Sequence, residues 1–222
     1  YFIILIFSFL FSNLKLEYNI TFYGISMANV NMNIENIIYQ NTEAIKLDFI
    51  TTTNNITSKI FEVDNEYYTI IDKNNFNILF FEKSTIQPRL INKIKTINQN
   101  DTILYENTNI MIPKNYFNIF SLLYYLSNTP FNNIQSTVNL EREGLTYICE
   151  ISKKKRNGLY EFELNFILDK NNAVAAIKNS DIFTWAVFKE NASKKIIIDP
   201  SNNKIINCIF STSLSTLKAN LK

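Results

Sequence analysis

PKNYFNIFSLLYYLSNTPF, residues 113–131, is the stretch around which the rest of the chain is organised. Its apolar residues recur at the i, i+3, i+4, i+7 spacing of one helical face, namely Tyr116, Ile119, Phe120, Leu123 and Leu126. Prolines stand at both ends of the stretch, where a helix begins or stops. Asn115 or Asn118 can cap the first turn through its side-chain oxygen. The pattern therefore predicts one short helix over about residues 115–127.

This helix is apolar on its other side as well, where Phe117, Leu122, Tyr124 and Tyr125 lie. A helix that is apolar nearly all round must be covered on more than one side. We expect it to pack into a curved sheet as a plug, or alternatively to form a wall or lid of a ligand cavity. In the second case the candidate ligand-binding residues are Phe120, Leu123 and Tyr124 on the helix and Trp185 elsewhere.

The remainder of the chain alternates between apolar and polar residues, as antiparallel strands do. Asn157-Gly158 predicts a tight hairpin turn, and Gly24 interrupts a first hairpin over residues 14–39. Phe183, Trp185 and Val187 predict one face of a long strand over residues 173–189. Further strand candidates are residues 44–52, 57–63, 66–72, 77–83, 89–97, 102–112, 136–143, 145–153, 159–169, 194–198 and 204–214. The predicted fold is mainly β, an antiparallel curved sheet forming an incomplete barrel or a sandwich, with one short apolar helix.

The chain begins with a continuous apolar run, FIILIFSFLFS, at residues 2–12. Its length is that of the apolar core of a secretory signal peptide, and it is too short to span a bilayer comfortably. Residues 1–12 are therefore interpreted as part of a signal peptide, and residues 13–222 as a single β-rich domain exported to the periplasm or cell envelope. The alternative is a buried first strand or helix.

Composition excludes several classes of chemistry. The net charge is only +2, which predicts no nucleic-acid partner. The chain has no histidine, so a Ser-His-Asp or Cys-His site cannot be built within it, and a zinc site is not expected. Three glycines are too few for the glycine-rich phosphate-binding loops. We therefore expect no cofactor and no metal, and a protein that is not an enzyme.

Three acidic pairs and one basic run are the remaining charged features. Residues 141/143, 64/66 and 161/163 are carboxylates spaced by two, so each pair shares a strand face. Such a pair can perform acid–base chemistry on a glycoside, but the alternation with apolar neighbours favours a solvated strand face. The run of Lys153 to Arg156 indicates a solvated turn, or alternatively a contact with anionic lipid headgroups.

Cys149 and Cys208 are the only cysteines. Each lies on an alternating apolar face, and neither has the second cysteine of a CxxC redox motif. In an exported protein the two can form a disulfide, or they can remain two buried free thiols that pack as small apolar side chains. The sequence does not decide between a disulfide and two free thiols.

Five segments resemble a family catalogued as domain of unknown function 3108 (DUF3108), which consists mostly of exported bacterial proteins. They are residues 18–25 (YNITFYGI), 60–64 (IFEVD) followed by 71–72 (ID), 118–127 (NIFSLLYYLS), 182–185 (IFTW) and 213–221 (SLSTLKANL). Ser121 and Tyr124 match the helical segment, whereas Asn118 and Ser127 replace its usual Asp and Arg. The resemblance implies a curved antiparallel β-fold and an exported location, and it supplies no catalytic residue.

Two functions remain as expectations. The first is non-enzymatic binding of an apolar or amphipathic envelope ligand, such as a lipid, between the helix and the Trp185 segment. The second is a structural or protein-interaction role in the cell envelope, with an envelope protein as partner and peripheral membrane contact. A carboxylate-dependent envelope hydrolase ranks third, and it would require two acidic side chains that converge in a cleft, one with a raised pKa.

Overall fold

A computed structural model of the protein describes residues 13–170, 174–213 and 215–222. The apolar run at residues 2–12, interpreted above as part of a signal peptide, lies outside the described residues. Within the described ranges there are fourteen strands, two α-helices and two short 3₁₀ turns, at Thr57–Lys59 and Phe131–Asn133. The strands are β1 (Asn13–Phe22), β2 (Ile25–Tyr39), β3 (Thr42–Thr53), β4 (Asp64–Asp72), β5 (Ile78–Gln87), β6 (Leu90–Gln99), β7 (Thr102–Tyr105), β8 (Met111–Pro113), β9 (Thr137–Arg142), β10 (Leu145–Arg156), β11 (Leu159–Leu168), β12 (Ser193–Asp199), β13 (Lys204–Thr212) and β14 (Ser215–Leu221). The helices are α1 (Ile119–Asn128) and α2 (Ile182–Phe188).

All fourteen strands form one antiparallel sheet in the order β8-β7-β6-β5-β4-β3-β2-β1-β14-β13-β12-β11-β10-β9. Most neighbours are consecutive hairpins, and the exception is the pairing of β1 with β14, in which Asn19 faces Asn220. This pairing joins two halves of the sheet that are far apart in sequence. The predicted antiparallel curved sheet is confirmed, in its barrel form.

The sheet closes nearly completely through the segment that leads into α1. Phe117 N–H donates to the Asn139 carbonyl at 2.9 Å, and Glu141 N–H donates to the Phe117 carbonyl at 2.7 Å. On the other side, Ile78 N–H donates to the Lys114 carbonyl at 3.1 Å. Residues 114–117 thus bridge β5 on one side and β9 on the other, which nearly closes the sheet.

Helix α1 begins at the predicted cap. The Asn118 side chain accepts a hydrogen bond from Ser121 N–H at 2.9 Å, and the Ser121 hydroxyl accepts one from Asn118 N–H at 2.9 Å, which completes a capping box. Seven of its side chains are buried inside the barrel. Phe120 packs against Phe49, Tyr67 and Phe81, with ring centroids 4.6, 4.8 and 6.4 Å away. The helix is therefore a plug in the lumen, as one of the two alternatives expected.

The barrel has two unlike ends. The end that carries the Tyr23–Gly24 turn, the loop at residues 54–63 and α2 is called the open end here. The opposite end carries the β12–β13 turn, and Asn203 of that turn lies beside the C-terminal end of α1 and Pro130. Since α1 occupies the lumen towards this second end, the apolar space described below lies between α1 and the open end, and the depressions at the second end are more polar.

Two strand predictions are wrong. Residues 57–63 form a 3₁₀ turn and a loop rather than a strand. Residues 182–188, in the predicted strand containing Trp185, form helix α2. The reason is a local cap: Asp181 accepts from Thr184 N–H at 2.9 Å and from the Thr184 hydroxyl at 2.6 Å, which starts a helix at a point where the apolar residues alternate.

Candidate functional site

An apolar cavity of about 260 Å³ lies at the open end of the barrel. Its walls come from both halves of the sheet, from the loop at residues 54–63 and from α2, and they include Ile20, Ala28, Val63, Phe183 and Phe210. The cavity reaches the surface beside Phe22 and Trp185, which are 38% and 51% exposed. A concave, apolar pocket with few polar groups is the usual form of a small-molecule site.

A second, smaller cavity of about 50 Å³ lies deeper, against α1. It shares Ile20, Thr51, Phe183 and Phe210 with the larger one, and Phe120 and Leu123 of α1 form its inner wall. The two cavities are therefore adjacent spaces between α1 and the open end, divided by the Phe183 ring. Phe183 stacks on Phe120, with centroids 6.1 Å apart and planes at 15°.

The four candidate ligand-binding residues fall in three places. Phe120 and Leu123 line the deeper cavity, and Trp185 lines the larger one at the surface. Tyr124 lies on the other side of α1, in a separate, more polar depression with Tyr18 and Asn128. The geometry thus places Phe120, Leu123 and Trp185 on the walls of two adjoining cavities, and it places Tyr124 outside both.

Helix α2 is fastened to the sheet by a buried cluster of charges that the sequence did not indicate. Lys83 of β5 forms ion pairs with Glu143 and with Asp181, the latter at 2.5 Å, and all three side chains are nearly inaccessible to water. The Tyr67 hydroxyl donates to Asp181 at 2.7 Å, and the Ser180 hydroxyl donates to Glu143. This anchor cluster holds the N-terminal end of α2 at the mouth of the barrel.

The surroundings of Asp181 favour its charged form. Burial alone would raise the pKa of Asp181, but the Lys83 ammonium and hydrogen bonds from Lys83 and Thr184 together lower it. Burial, and next the Asp181 charge, raise the pKa of Tyr67 well above its usual value, so this hydroxyl remains a donor. Both carboxylates of the cluster are paired with Lys83, and breaking these pairs would leave a charge buried without a partner.

Glu141 and Glu143 were interpreted above as a solvated strand face, and that interpretation is wrong. Both are buried, with 1% and 4% of their surface exposed, and other elements cover them: Tyr105 contacts Glu141, and Lys83 contacts Glu143. The Tyr105 hydroxyl donates to Glu141 at 2.5 Å. Burial raises the pKa of Glu141 to about 7, against the lowering effect of the bonds from Tyr105 and Gly144. The adjoining space measures only about 20 Å³, too small to hold a sugar residue.

The other charged features stay near the surface. Asp64 and Glu66 are exposed, whereas Glu161 is only 7% exposed and pairs with Lys195 at 2.9 Å on the outer face of the sheet. Lys153, from the basic run, donates to the carbonyls of Phe131 and Ile134 at 2.8 and 2.7 Å. It therefore caps the turn that follows α1, which is a structural role.

Cys149 and Cys208 are both free, buried thiols in the structure. They lie on β10 and β13, with β11 and β12 between them. Three strand spacings separate their backbones by on the order of 14 Å, beyond the reach of a disulfide. Burial raises the pKa of each thiol to about 12.

Within the described ranges, no three His, Cys, Asp or Glu side chains form a group that could hold a metal ion. Neither of the two described helices has the length and apolarity needed to cross a bilayer.

Comparison with known proteins agrees with the fold. The chain matches no protein-family profile and no curated protein. It is similar to the crystal structure of a β-barrel-like protein of domain of unknown function DUF1849 from Brucella abortus, with a TM-score of 0.55 over 94% of this chain and 95% of that one. The protein is therefore β-barrel-like in its fold. At 9% sequence identity the likeness concerns the fold alone.

Proposed function

We propose that the protein is an exported, non-enzymatic binder that holds an apolar or amphipathic molecule, such as a lipid, between α1 and the open end of the barrel. The observation that carries this proposal is the apolar cavity of about 260 Å³ that reaches the surface beside Trp185. Its walls are side chains that a core would normally cover, and covering apolar surface contributes about 25 cal/mol per Å². A ligand with an apolar chain supplies that cover.

The position of α1 supports the same proposal. A plug that filled the lumen would leave a solid core. Here the side chains of Phe120 and Leu123 on α1 instead border a cavity. Smaller β-barrels commonly enclose one apolar ligand, and here α1 fills part of the wider lumen of a fourteen-stranded sheet. The signal peptide predicted from residues 2–12 and the resemblance to DUF3108 are both consistent with a ligand found in the cell envelope. Export of the protein is therefore part of the proposal.

The first experiment is mass spectrometry of organic extracts from protein purified without detergent. We expect a co-purifying lipid at a stoichiometry near one per chain. The matching in vitro measurement is displacement of a fluorescent fatty-acid probe from the purified protein.

A cavity-filling variant makes the experiment specific. Ala28 is buried on β2 and lines the larger cavity, so Ala28→Phe should fill it and reduce lipid recovery and probe binding at least tenfold. Asn31→Phe places the same ring at an exposed position of the same strand and should leave both unchanged. Wild-type protein that carries no co-purifying lipid and also fails to bind the fluorescent probe would contradict the proposal.

A protein-interaction role is the second candidate, and a specific observation favours it. The open end exposes apolar side chains that no described element covers, among them Tyr23, Ile25, Ile56 and Ile60, which are 62%, 66%, 79% and 86% exposed. Exposed apolar patches mark contact surfaces. A photo-crosslinking residue at Ile60 that captures one partner protein in cells, together with lipid-free purified protein, would favour this role over ligand binding.

A further inference from the structure

The larger cavity contains one charged side chain among its wall residues, Lys189. This lysine follows α2 directly and is half-buried. Its ammonium lies over the indole of Trp185, with Nζ 4.5 Å from the ring centroid. A cation–π contact of this kind holds the ammonium over the indole face. The ammonium is thus held at the mouth of an otherwise uncharged cavity.

The other lysines near this region are already engaged. Lys83 is buried between Glu143 and Asp181. Lys194 donates to the carbonyl of Ala192 at 2.9 Å. Lys189 has no carboxylate within ion-pair distance among residues 13–170, 174–213 and 215–222. A cation at a cavity mouth without an acidic partner complements an anionic group that arrives with a ligand.

We propose that Lys189 is the headgroup anchor of this cavity, and that the preferred ligand is a single-chain amphiphile with an anionic head, a carboxylate or a phosphate. This rests on the proposed function, because the tail must enter the cavity for the head to reach Lys189. The head lies at the surface beside Trp185 and Lys189. The tail runs inward past Phe183 towards Phe120, along walls that carry no charge.

The reverse orientation is disfavoured by the same structure. A head placed at the inner end would meet Phe120 and Leu123, which offer no hydrogen-bond donor. Burying an anion there without a partner costs several kcal/mol. The position of the Lys189 ammonium at the cavity mouth therefore determines the orientation of the ligand. It also determines the preference for an acidic head over a neutral one.

The test uses Trp185, the only tryptophan in the chain, as an internal reporter at the mouth. Wild-type protein is titrated at pH 8 with dodecanoate, dodecyl phosphate and the neutral analogue 1-dodecanol, each below its aggregation concentration. Affinities are taken from the concentration dependence and confirmed by calorimetry, because changing Lys189 also alters the environment of the indole. We expect at least one anionic ligand to bind about tenfold more tightly than dodecanol, the gain of one charge-assisted contact.

Three variants complete the design. Lys189→Met keeps the length and apolar stem of the side chain, and it should bring anion and alcohol affinities within about twofold while dodecanol binding persists. Lys189→Arg should restore the preference. Lys59→Met removes a fully solvated lysine of the open end that does not line the cavity, and it should change nothing.

The outcomes separate the two proposals. Wild-type protein that binds dodecanol and both anions equally, or a Lys189→Met variant that retains the preference, would overturn the headgroup assignment and leave cavity binding in place. Protein that binds none of the three ligands, with Ala28→Phe indistinguishable from wild type, would overturn the proposed function itself. Dodecanoate and dodecyl phosphate compared with each other identify which acidic head the site accepts.

Discussion

Glu141 is the residue whose ionisation should control stability near neutral pH. Its pKa rises from 4.5 to about 7 because the side chain is buried. The folded state therefore holds this proton more tightly than the unfolded state. The resulting stabilisation is complete below about pH 4.5 and is lost as pH rises through 7, by about 3 kcal/mol in total.

We expect the free energy of unfolding, measured with urea, to fall between pH 5 and pH 8. Glu141→Gln keeps an oxygen that can accept from Tyr105 but cannot ionise, so its stability should be nearly flat over the same range. The chain has no histidine, so no imidazole titrates between pH 5 and pH 8. A wild-type slope that persists unchanged in the variant would show that another group titrates.

The two thiols give a second prediction at this scale. With a pKa of about 12, Cys149 and Cys208 carry almost no thiolate at pH 8, and both are buried. Ellman's reagent should label neither in the native protein and both in urea. Asn31→Cys, on the outer face of β2, is the control that should react at once. Rapid reaction of Cys149 or Cys208 with the reagent in the native protein would contradict their burial.

Sequence patterns predicted the buried residues of α1 better than the buried charges. Alternation spaced by two looks the same for a solvated face and for a face that turns into the barrel, so Glu141 and Glu143 could not be placed from sequence. The long-range contacts decide the matter, because Lys83 is 60 residues away from Glu143. The spacing of Asp181 and Thr184 was a usable cap signal, yet Phe183, Trp185 and Val187 imitate a strand.

At the scale of elements, the anchor cluster determines whether α2 stays at the open end. Lys83→Met leaves the Glu143 and Asp181 carboxylates buried without their cation. We expect a loss of about 3–5 kcal/mol in the free energy of unfolding. Lys93→Met, which breaks the exposed pair with Glu82, should leave the free energy of unfolding nearly unchanged.

The same comparison tests the position of α2. Because Asp181 caps the helix and contacts Lys83, the Trp185 fluorescence of Lys83→Met should change in the folded protein, while that of Lys93→Met should not. Equal stability losses in both variants, with identical spectra, would mean that α2 is held by its apolar contacts alone.

Helix α1 was predictable because its signals agree with one another. The apolar spacing, the flanking prolines and the Asn118 cap all indicate one helix, and the structure places it at Ile119–Asn128. For α2 the signals conflict, since seven residues span barely two turns and the pattern within them is that of a strand. Short helices fixed by tertiary contacts are therefore the elements that local patterns miss.

At the scale of the whole molecule, the pairing of β1 with β14 sets the topology. Asn19 and Asn220 are partners across this pairing. Opposed residues of neighbouring antiparallel strands have Cα atoms about 4.5–5.5 Å apart, which suits a disulfide. The double variant Asn19→Cys/Asn220→Cys should oxidise readily and raise the urea midpoint, since it closes a very long loop.

A matched pair checks this result. Asn98 lies on β6, five strands away from β1, so Asn19→Cys/Asn98→Cys should remain reduced under the same conditions. Gel mobility without reductant distinguishes the two. Failure of the first pair to oxidise, or oxidation of both, would contradict the strand order.

The fold class followed from many short alternating segments, but the pairing that joins the two halves of the sheet did not. Which strands meet at the seam depends on a pairing between residues about 200 positions apart, and no local pattern encodes it. The cavity is likewise a property of the assembled molecule, because its walls come from both halves of the sheet.

The seam between β1 and β14 also bears on how the chain is made. The ribosome delivers β1 long before β14, so β1 spends most of synthesis with one edge unpaired. An unpaired edge recruits strands from other molecules. That edge can pair with other chains until residues 215–221 have been made, so we expect a product truncated before β14 to aggregate more readily than the full chain.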